Sequence, residues 1–531
     1  MATNPYAAEE QKTILGHPRG LFVLFFAEMW ERFSYYGMRA ILIFYLVQHW
    51  MFSDSEGSII YGAYTSLVYI APVIGGYLAD RYLGQRKAVM FGAVLLTIGH
   101  FLMAFEGDGG QDAPELNIFW MALSFIIVGS GFLKANISVM VGQLYPRTDI
   151  RRDPAYTIFY MGINLGAALG SILAGWLGQT YGWAYGFGAA GLGMLLGLIV
   201  FVFGKPLLMG RGEPRDPAVL KRRVVGLPFE WMLYVLSLAA VVLVWWMIQH
   251  QALIGGLLGL GGILLIAYVI WVSFRKLTRE ERHRIYAAMY LIIGSILFWA
   301  LFEQAGSSLN LFTDRSVDRH IFGWEVPASM FQSLNAIYIV MLAPVFAMLW
   351  LFLGRRGLEP SAPAKFGLGV IQLGLGFLVL VAGATAAMGS GSLTPLVFIF
   401  LIYLLHTMGE LCLSPVGLSA MNRLAPAHMA SLIMGAWFFA SATGNFAAGL
   451  ISAATGAGSG DGTAPEQAIS VYSNVGWLAI GVGVVMVLIS PLIKKMMHLD
   501  TLKDTEDAEL AGQAELAEPA SAGVHIKREQ R

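Results

Sequence analysis

Fourteen apolar runs, each close to or above the roughly 20 residues a helix needs to cross about 30 Å of hydrocarbon, take up most of the chain. They lie approximately at residues 21–48, 59–80, 88–106, 116–144, 155–178, 183–204, 229–249, 252–273, 285–312, 325–353, 368–388, 394–421, 428–455 and 471–497. A bilayer core holds no water to satisfy a backbone N–H or C=O, so runs of this length are expected as helices that close their own hydrogen bonds. The expected fold class is an all-α polytopic membrane protein. Composition agrees, since 57% of the 531 residues are hydrophobic and only 13% are charged.

The connections carry the orientation signal, because Lys and Arg collect on the cytoplasmic side. One alternating set holds Arg81, Arg86 and Lys87; Arg147, Arg151 and Arg152; the basic stretch from Lys205 to Arg223; Arg275, Lys276, Arg279, Arg282 and Arg284; Arg355, Arg356 and Lys365; Arg423; and Lys494 and Lys495. The other set holds Asp54, Glu56, Glu106, Asp108, Asp112, Glu115, Asp461 and Glu466, with Arg315 and Arg319 on the positive side. Fourteen alternating spans satisfy this pattern and place both termini in the cytoplasm. Residues 1–20 are polar and contain no cleavage signal, so the first span is expected to direct insertion. Residues 498–531, rich in Glu, Ala, Lys and Asp, are expected to form a loose cytoplasmic tail. Lys+Arg and Asp+Glu both number 34, so net charge gives no reason to expect a nucleic-acid partner. Cys412, the single cysteine, has no partner for a disulfide or a zinc site and reads as a packed apolar residue.

The basic connection after residue 204 separates six spans from eight. The first two of the eight, "FEWMLYVLSLAAVVLVWWMIQ" and "LIGGLLGLGGILLIAYVIWVSF", carry no carboxylate beyond Glu230 and read as a lipid-facing hairpin. The expected plan is a cytoplasmic N-terminus (1–20), a six-helix bundle (21–204), a basic linker with the hairpin (205–284), a second six-helix bundle (285–497) and the tail. Two-halved transporters of this kind bind their substrate near the midplane, between the halves. "GGYLADRYLGQRK", between spans two and three, resembles the loop signature of the major facilitator superfamily at Gly76, Asp80, Arg81, Gly84, Arg86 and Lys87, with Gln85 where Arg is commoner.

Charge inside the spans is the functional clue, since ionisable groups at membrane depth are costly and tied to pathways. "EMWERFSYYG" puts Glu28, Glu31 and Arg32 in the first span, and Arg39 follows. At 100° per residue these four and Tyr35 fall within an arc of roughly 100°, a stripe expected to face the bundle interior. An ion-pair ladder that only joins helices is the plainer reading, yet Ser, Thr and Gly do that at lower cost. Lys134, Asn164, Trp299, Glu303, Asn335 and Glu410 lie inside later spans. The first half thus buries three cations and two carboxylates, a balance of +1, and the second buries two carboxylates, a balance of −2. A ligand bridging the halves should carry an anionic and a cationic end, as a short peptide does, and the surplus carboxylate offers a place for one proton. Tyr35, Tyr36, Tyr69, Trp299 and Trp437 could border its side chains.

"EMWERFSYYG", "FYMGINLG" and "GELCLSPVGLS" resemble the first-, fifth- and tenth-helix motifs of the proton-dependent oligopeptide transporters, a family of the major facilitator superfamily. The resemblance extends over nearly the whole chain, the inserted hairpin of bacterial members included. It implies a proton-coupled symporter importing di- and tripeptides across a bacterial inner membrane, working as a monomer with no cofactor beyond the co-transported proton. It also implies that Glu28, Glu31, Arg32, Lys134 and Glu303 couple the proton, that Arg39 and Lys134 hold the peptide carboxylate, and that Glu410, Asn164 and Asn335 hold the amino end and backbone. Tyr35, Tyr36, Tyr69, Trp299, Trp437 and Ser441 match pocket positions. Ala135 departs from the family, where Pro often follows the fourth-helix Lys, and His100 and His406 match no coupling position. No HExxH, GxSxG or paired Cys/His spacing supports an enzyme. The rival within the fold is a transporter of nitrate or a single amino acid.

Overall fold

Pro18, in extended conformation at φ −56° and ψ 141°, closes a two-residue strand pair (Thr13–Ile14 with His17–Pro18) and starts the first helix. The computed structural model describes residues 13–146, 149–224, 226–426, 429–456 and 464–499. The expected tail, apart from His498 and Leu499, and residues 1–12 lie outside the described residues.

The first six spans are α1 (Arg19–Phe44), α2 (Asp54–Leu78), α3 (Gln85–Met103), α4 (Leu116–Gln143), α5 (Arg152–Tyr181) and α6 (Trp183–Phe203). α1 and α2 each run on through one π turn, to His49 and Leu83. The short α7 (Pro217–Lys221) lies in the linker, and α8 (Phe229–Ile248) with α9 (Gln251–Lys276) form the hairpin. The second half holds α10 (Arg279–Phe302), α11 (Ser308–Ser316), α12 (Ser333–Arg355), α13 (Ala362–Gly389), α14 (Val397–Leu424), α15 (Ala430–Gly456) and α16 (Ala464–Met496). Twelve of these helical spans are long and apolar enough to cross a membrane. The remaining two of the fourteen are α1, which carries Arg19, Glu28, Glu31, Arg32 and Arg39, and α15, whose apolar residues are diluted by Gly, Ser, Thr and Asn445. Capping boxes fix two starts, Ser53 with Glu56 for α2 and Thr278 with Glu281 for α10.

The span expected as one helix over 285–312 is broken. α10 ends at Phe302, a 3-10 turn takes Glu303–Gly306, and Ser307, at φ −125° and ψ −98°, redirects the chain into α11. The break falls where Gly306 lets the backbone come against the Tyr61 hydroxyl. The loop of 317–327 also forms short strand pairs, Val317–Asp318 with Thr394–Pro395 and His320–Ile321 with Trp324–Glu325.

Each half has its own apolar core, one built on α1 to α6 and one on α10 to α16. Helices approach closely where glycines meet a neighbouring backbone, the usual substitute in lipid for a hydrophobic driving force. Gly162, Gly166 and Gly170 of α5, one helical turn apart, lie on Phe25, Met29 and Phe33 of α1. A side chain at Gly166 would run into the Met29 carbonyl. Gly166→Leu is therefore expected to separate the two helices and to destabilise the protein by about 2 kcal/mol or more, read as a lowered melting temperature in detergent. An unchanged melt would show that this contact does not limit stability.

The signature loop is held by its own residues. Gly84, at φ +75°, turns the chain against the linker, and the Arg86 N–H donates to the Gly212 carbonyl at 2.9 Å. Gln85, the departure from the superfamily pattern, donates to Asp80 at 2.6 Å. Arg86 also donates to Glu213 at 2.5 Å, and this guanidinium holds the Glu213 carboxyl below its ordinary range. Within the hairpin, α9 is the least enclosed of the twelve membrane-length spans among the described residues. Only 11% of the membrane-length stretch of α9 is buried, against 72% for α4. α8 rests on the first half through Lys87–Glu230 at 2.6 Å, and α9 reaches the second through Gly255 on Phe446.

Candidate functional site: buried charge between the halves

α1 carries its charged stripe deep inside the first half, with Glu28, Glu31, Arg32 and Arg39 all 6% exposed or less. The opposite side of α1 is covered too, because α5 and α6 pack there, so the helix is buried almost all round. Arg32 donates through Nε to Glu28 Oε1 at 2.7 Å and lies 3.3 Å from Glu31 Oε2. Neither Glu31 oxygen accepts a hydrogen bond, and Glu28 Oε2 lacks one as well. Buried carboxylate oxygens without a partner are exceptions in a folded protein, and here they leave acceptor positions open inside the first half. From α4, Lys134 brings its ammonium over the Tyr69 ring at 4.0 Å and the Tyr35 ring at 5.4 Å. α4 passes Ala135 without a break, and Lys134 is 8% exposed.

Arg39, about two turns beyond Arg32 in the direction of α2, joins the halves. Its guanidinium makes an ion pair with Glu303 in the 3-10 turn after α10, and its Nε donates to the Tyr61 hydroxyl at 2.6 Å. Arg39 was expected to hold a substrate carboxylate, but in this conformation it is engaged by Glu303 and Tyr61. The same level is sealed by Asn310, which donates to the Ala40 carbonyl at 2.9 Å, and by Gln332, which does so at 3.2 Å. Further toward the acidic loops, Ser58 and Ser452 hydroxyls are 2.7 Å apart, and Gly62 of α2 lies against Gly449 of α15. A Cβ at Gly62 would sit 2.7 Å from the Gly449 Cα. Gln179 of α5 accepts from the Ser329 hydroxyl at 2.6 Å, and Arg315 pairs with Asp54. These contacts between the halves all lie at the acidic-loop end.

The second half contributes Glu410 of α14, half-buried, which accepts from Asn335 Nδ2 of α12 at 2.8 Å. Asn335 also donates to Thr407 at 3.1 Å, so the carboxylate is oriented by a neighbouring helix. Tyr36 of α1 lies within electrostatic reach of Arg32, Arg39 and Glu31 on its own helix and of Glu410 in the second half. Asn164 is buried on α5 and donates to the Tyr160 carbonyl of its own helix at 3.1 Å. Trp299 is buried, with an indole N–H that makes no hydrogen bond.

Two further expected pocket residues are fully buried in this conformation. Trp437 is 0% exposed, edge-on to Phe366 and seated in the space that Gly417 leaves, so it belongs to the core of the second half. Ser441 is 1% exposed and donates back to the Trp437 carbonyl at 3.3 Å. Sequence reasoning did not single out Tyr61, Asn310, Gln332 or Thr407. All are neutral residues whose positions only the pairing of distant helices reveals. His406 approaches the Leu373 carbonyl at 3.2 Å and His100 makes no hydrogen bond.

Residues 86–471 match the profile of the POT family, PTR2. The chain is 39% identical over 495 residues to the uncharacterized transporter YclF of Bacillus subtilis, covering 92% of this chain and 96% of that protein. It is 37% identical over 469 residues to the peptide transporter YePEPT of Yersinia enterocolitica, covering 83% and 88%. Among solved structures it superposes on a peptide transporter POT in complex with sulfate, with a TM-score of 0.80, 35% identity and coverage of 92% and 98%. A POT family transporter in complex with 5-aminolevulinic acid gives 0.77, 32%, 91% and 98%. With a family match over more than half of its length and relatives above 30% identity along nearly all of it, the chain belongs to the POT family of membrane transporters.

Proposed function

We propose that this protein is a proton-coupled symporter that imports di- and tripeptides by alternating access. One observation carries the choice of substrate: cationic groups of the first half and the Asn335-held carboxylate Glu410 of the second lie within electrostatic reach of the same residue, Tyr36. A zwitterion of peptide length meets both, and relatives named dipeptide and tripeptide permease support the class. Lys134 is the first partner of the peptide carboxylate, and Arg39 joins it once released from Glu303. Glu410, with Asn335 and Asn164, takes the amino end and backbone. Tyr35, Tyr36, Tyr69 and Trp299 border the side chains, with Trp437 and Ser441 behind that wall. Glu28, Glu31, Arg32, Lys134 and Glu303 form the coupling set. The proton is the co-transported ion, no other cofactor is required, and the monomer in a bacterial inner membrane is the working unit.

With the basic loops cytoplasmic, the contacts at the acidic-loop end close the site to the outside. Substrate release then faces the cytoplasm. Proteoliposomes given an inward proton gradient are expected to accumulate labelled dialanine, with accumulation lost on adding a protonophore and peptide exchange kept. Unlabelled tripeptide should compete, whereas nitrate, free alanine and tetra-alanine should compete poorly. Competition by nitrate or alanine as strong as by tripeptide would overturn the substrate assignment, and accumulation that followed sodium would overturn the coupling.

The outer closure gives a separate test. With the two hydroxyls 2.7 Å apart, Ser58→Cys/Ser452→Cys is expected to cross-link under mild oxidant and to stop uptake until reduced. Native Cys412, 2% exposed, offers no competing thiol. Full uptake by the oxidised, mass-verified cross-linked protein would show that this end does not need to open.

A further inference from the structure

A cleft of about 470 Å³ opens between the hairpin and the second half, lined by Ile266, Ile270 and Phe274 of α9 and by Tyr286, Tyr290 and Ile293 of α10. None of its lining side chains is charged. Direct packing continues beside it, where Val269, Val272 and Leu277 join the core that holds Ile285 and Leu291. One end of the cleft meets the turn between the two helices, and there the chemistry changes. Arg275, Lys276 and Arg279 are exposed at that turn, and the Arg282 guanidinium lies 5.1 Å over the Phe274 ring at the mouth. Arg282 Nε is buried and makes no hydrogen bond. The carboxylates nearby are used locally: Glu281 accepts from the Thr278 backbone N–H and hydroxyl at 2.9 Å, and Glu280 lies 4.0 Å from Arg284. Residues 275–284 thus hold five cationic side chains and two carboxylates, a surplus of three positive charges without His283.

An apolar groove along the membrane normal that ends in such a cluster has the two-part character of a phospholipid. We propose that the α9–α10 cleft holds an acyl chain of an anionic phospholipid whose phosphate group is bound by Arg275, Lys276, Arg279 and Arg282. Arg282 and Ile293 are eleven residues apart on α10, about 16 Å along the axis, which an extended acyl chain can follow. The groove would accept the chain of any lipid. Selection comes from the cations, because a headgroup with net negative charge gains from each of them whereas a zwitterionic one brings its own ammonium. The guanidinium of Arg282 is the specific element, since it lies over Phe274 at the mouth with its Nε lacking a hydrogen-bond partner within the protein, and a phosphate oxygen is a strong acceptor for a guanidinium. The lipid would tie the hairpin to the second half at the basic-loop end, beside the direct helix contacts.

Native mass spectrometry of the full chain reads this directly. The protein is released from bilayers of equimolar phosphatidylglycerol and phosphatidylethanolamine, and the lipids that remain bound are counted. The wild-type protein is expected to retain phosphatidylglycerol over phosphatidylethanolamine by about tenfold, and R275Q/K276Q/R279Q/R282Q to lose that preference. Ile270→Trp, which fills the cleft and leaves the cations in place, should lower retention of phosphatidylglycerol as strongly. R215Q/K221Q/R222Q, in the basic connection that follows the first six spans, should keep the preference, and every variant is first checked for a single sharp elution peak. Equal retention of both lipids by the wild-type protein, an undiminished preference in the quadruple variant, or equal loss in the R215Q/K221Q/R222Q control would overturn the proposal. So would a dimer that Ile270→Trp dissolves, because the cleft would then seat a second copy of the chain.

Discussion

Glu303→Gln is expected to abolish accumulation of dialanine under an imposed proton gradient while peptide exchange across the membrane continues. Glu303 and Arg39 are 4% and 6% exposed and form an ion pair between the halves. Withdrawing one partner of a buried pair costs roughly 3 to 5 kcal/mol, because the other charge stays desolvated and uncompensated. That cost falls on the closed arrangement, since opening lets water reach the guanidinium. About 3 kcal/mol moves a two-state equilibrium on the order of a hundredfold. The amide imitates the protonated acid, so the variant behaves as a carrier that has received its proton and cannot give it up. The gradient then has nothing to act on, whereas the loaded protein can still move substrate in both directions. Spin labels on the outer ends of α2 and α15, where Ser58 meets Ser452, should report a longer distance in the variant than in the wild type. Accumulation at the wild-type level, or an unchanged distance together with normal coupling, would remove Glu303 from the coupling set. Arg39→Lys offers a second view. It keeps the charge but gives up the guanidinium that reaches Glu303 and Tyr61 together, so it should weaken coupling less than Glu303→Gln.

The parts of this site that could be read in the sequence are those where a residue contradicts its surroundings. Glu28, Glu31, Arg32 and Arg39 stand out in an apolar run, as do Lys134, Glu303 and Glu410, and the structure buries or half-buries all seven between helices. The fourteen runs likewise correspond to the spanning helices, because length and hydropathy are local properties. What could not be read is pairing. Arg39 and Glu303 are 264 positions apart, and nothing in either segment names the other. The break after Phe302 was hidden because Glu303, Gln304 and Gly306 sit in a stretch whose composition still suits a helix. Gly62 and Gly449 form a close crossing, yet with 62 glycines in the chain no single one draws notice. Trp437 shows a placement that local sequence does not reveal. A large aromatic near a pocket motif suggests a lining residue, but Gly417 on α14 makes room for the ring in the core.

Glu410→Ala is expected to weaken dipeptide binding by more than an order of magnitude and to remove the protein's sense of the peptide amino group. The carboxylate is held by Asn335 at 2.8 Å, and Asn335 is itself tied to Thr407, so its position is set before any ligand arrives. Removing one member of a desolvated charge pair costs roughly 2 to 5 kcal/mol. Glu410 lies five residues before Pro415, which withholds an N–H from the helix and loosens the backbone one turn earlier. The same residue could therefore report on binding or on the bending of α14, and loss of transport alone would not distinguish them. An N-acetylated dipeptide does, because it lacks the ammonium. If Glu410 binds that group, the wild-type protein discriminates strongly against the acetylated ligand, and Glu410→Ala binds both forms about equally, near the level at which the wild-type protein binds the acetylated one. If Glu410 only holds α14 in place, both ligands weaken together and their affinity ratio stays as in the wild-type protein. Calorimetric titration of the two dipeptides into both proteins measures that ratio without reference to transport. A ratio unchanged by the substitution would return Glu410 to a purely structural role.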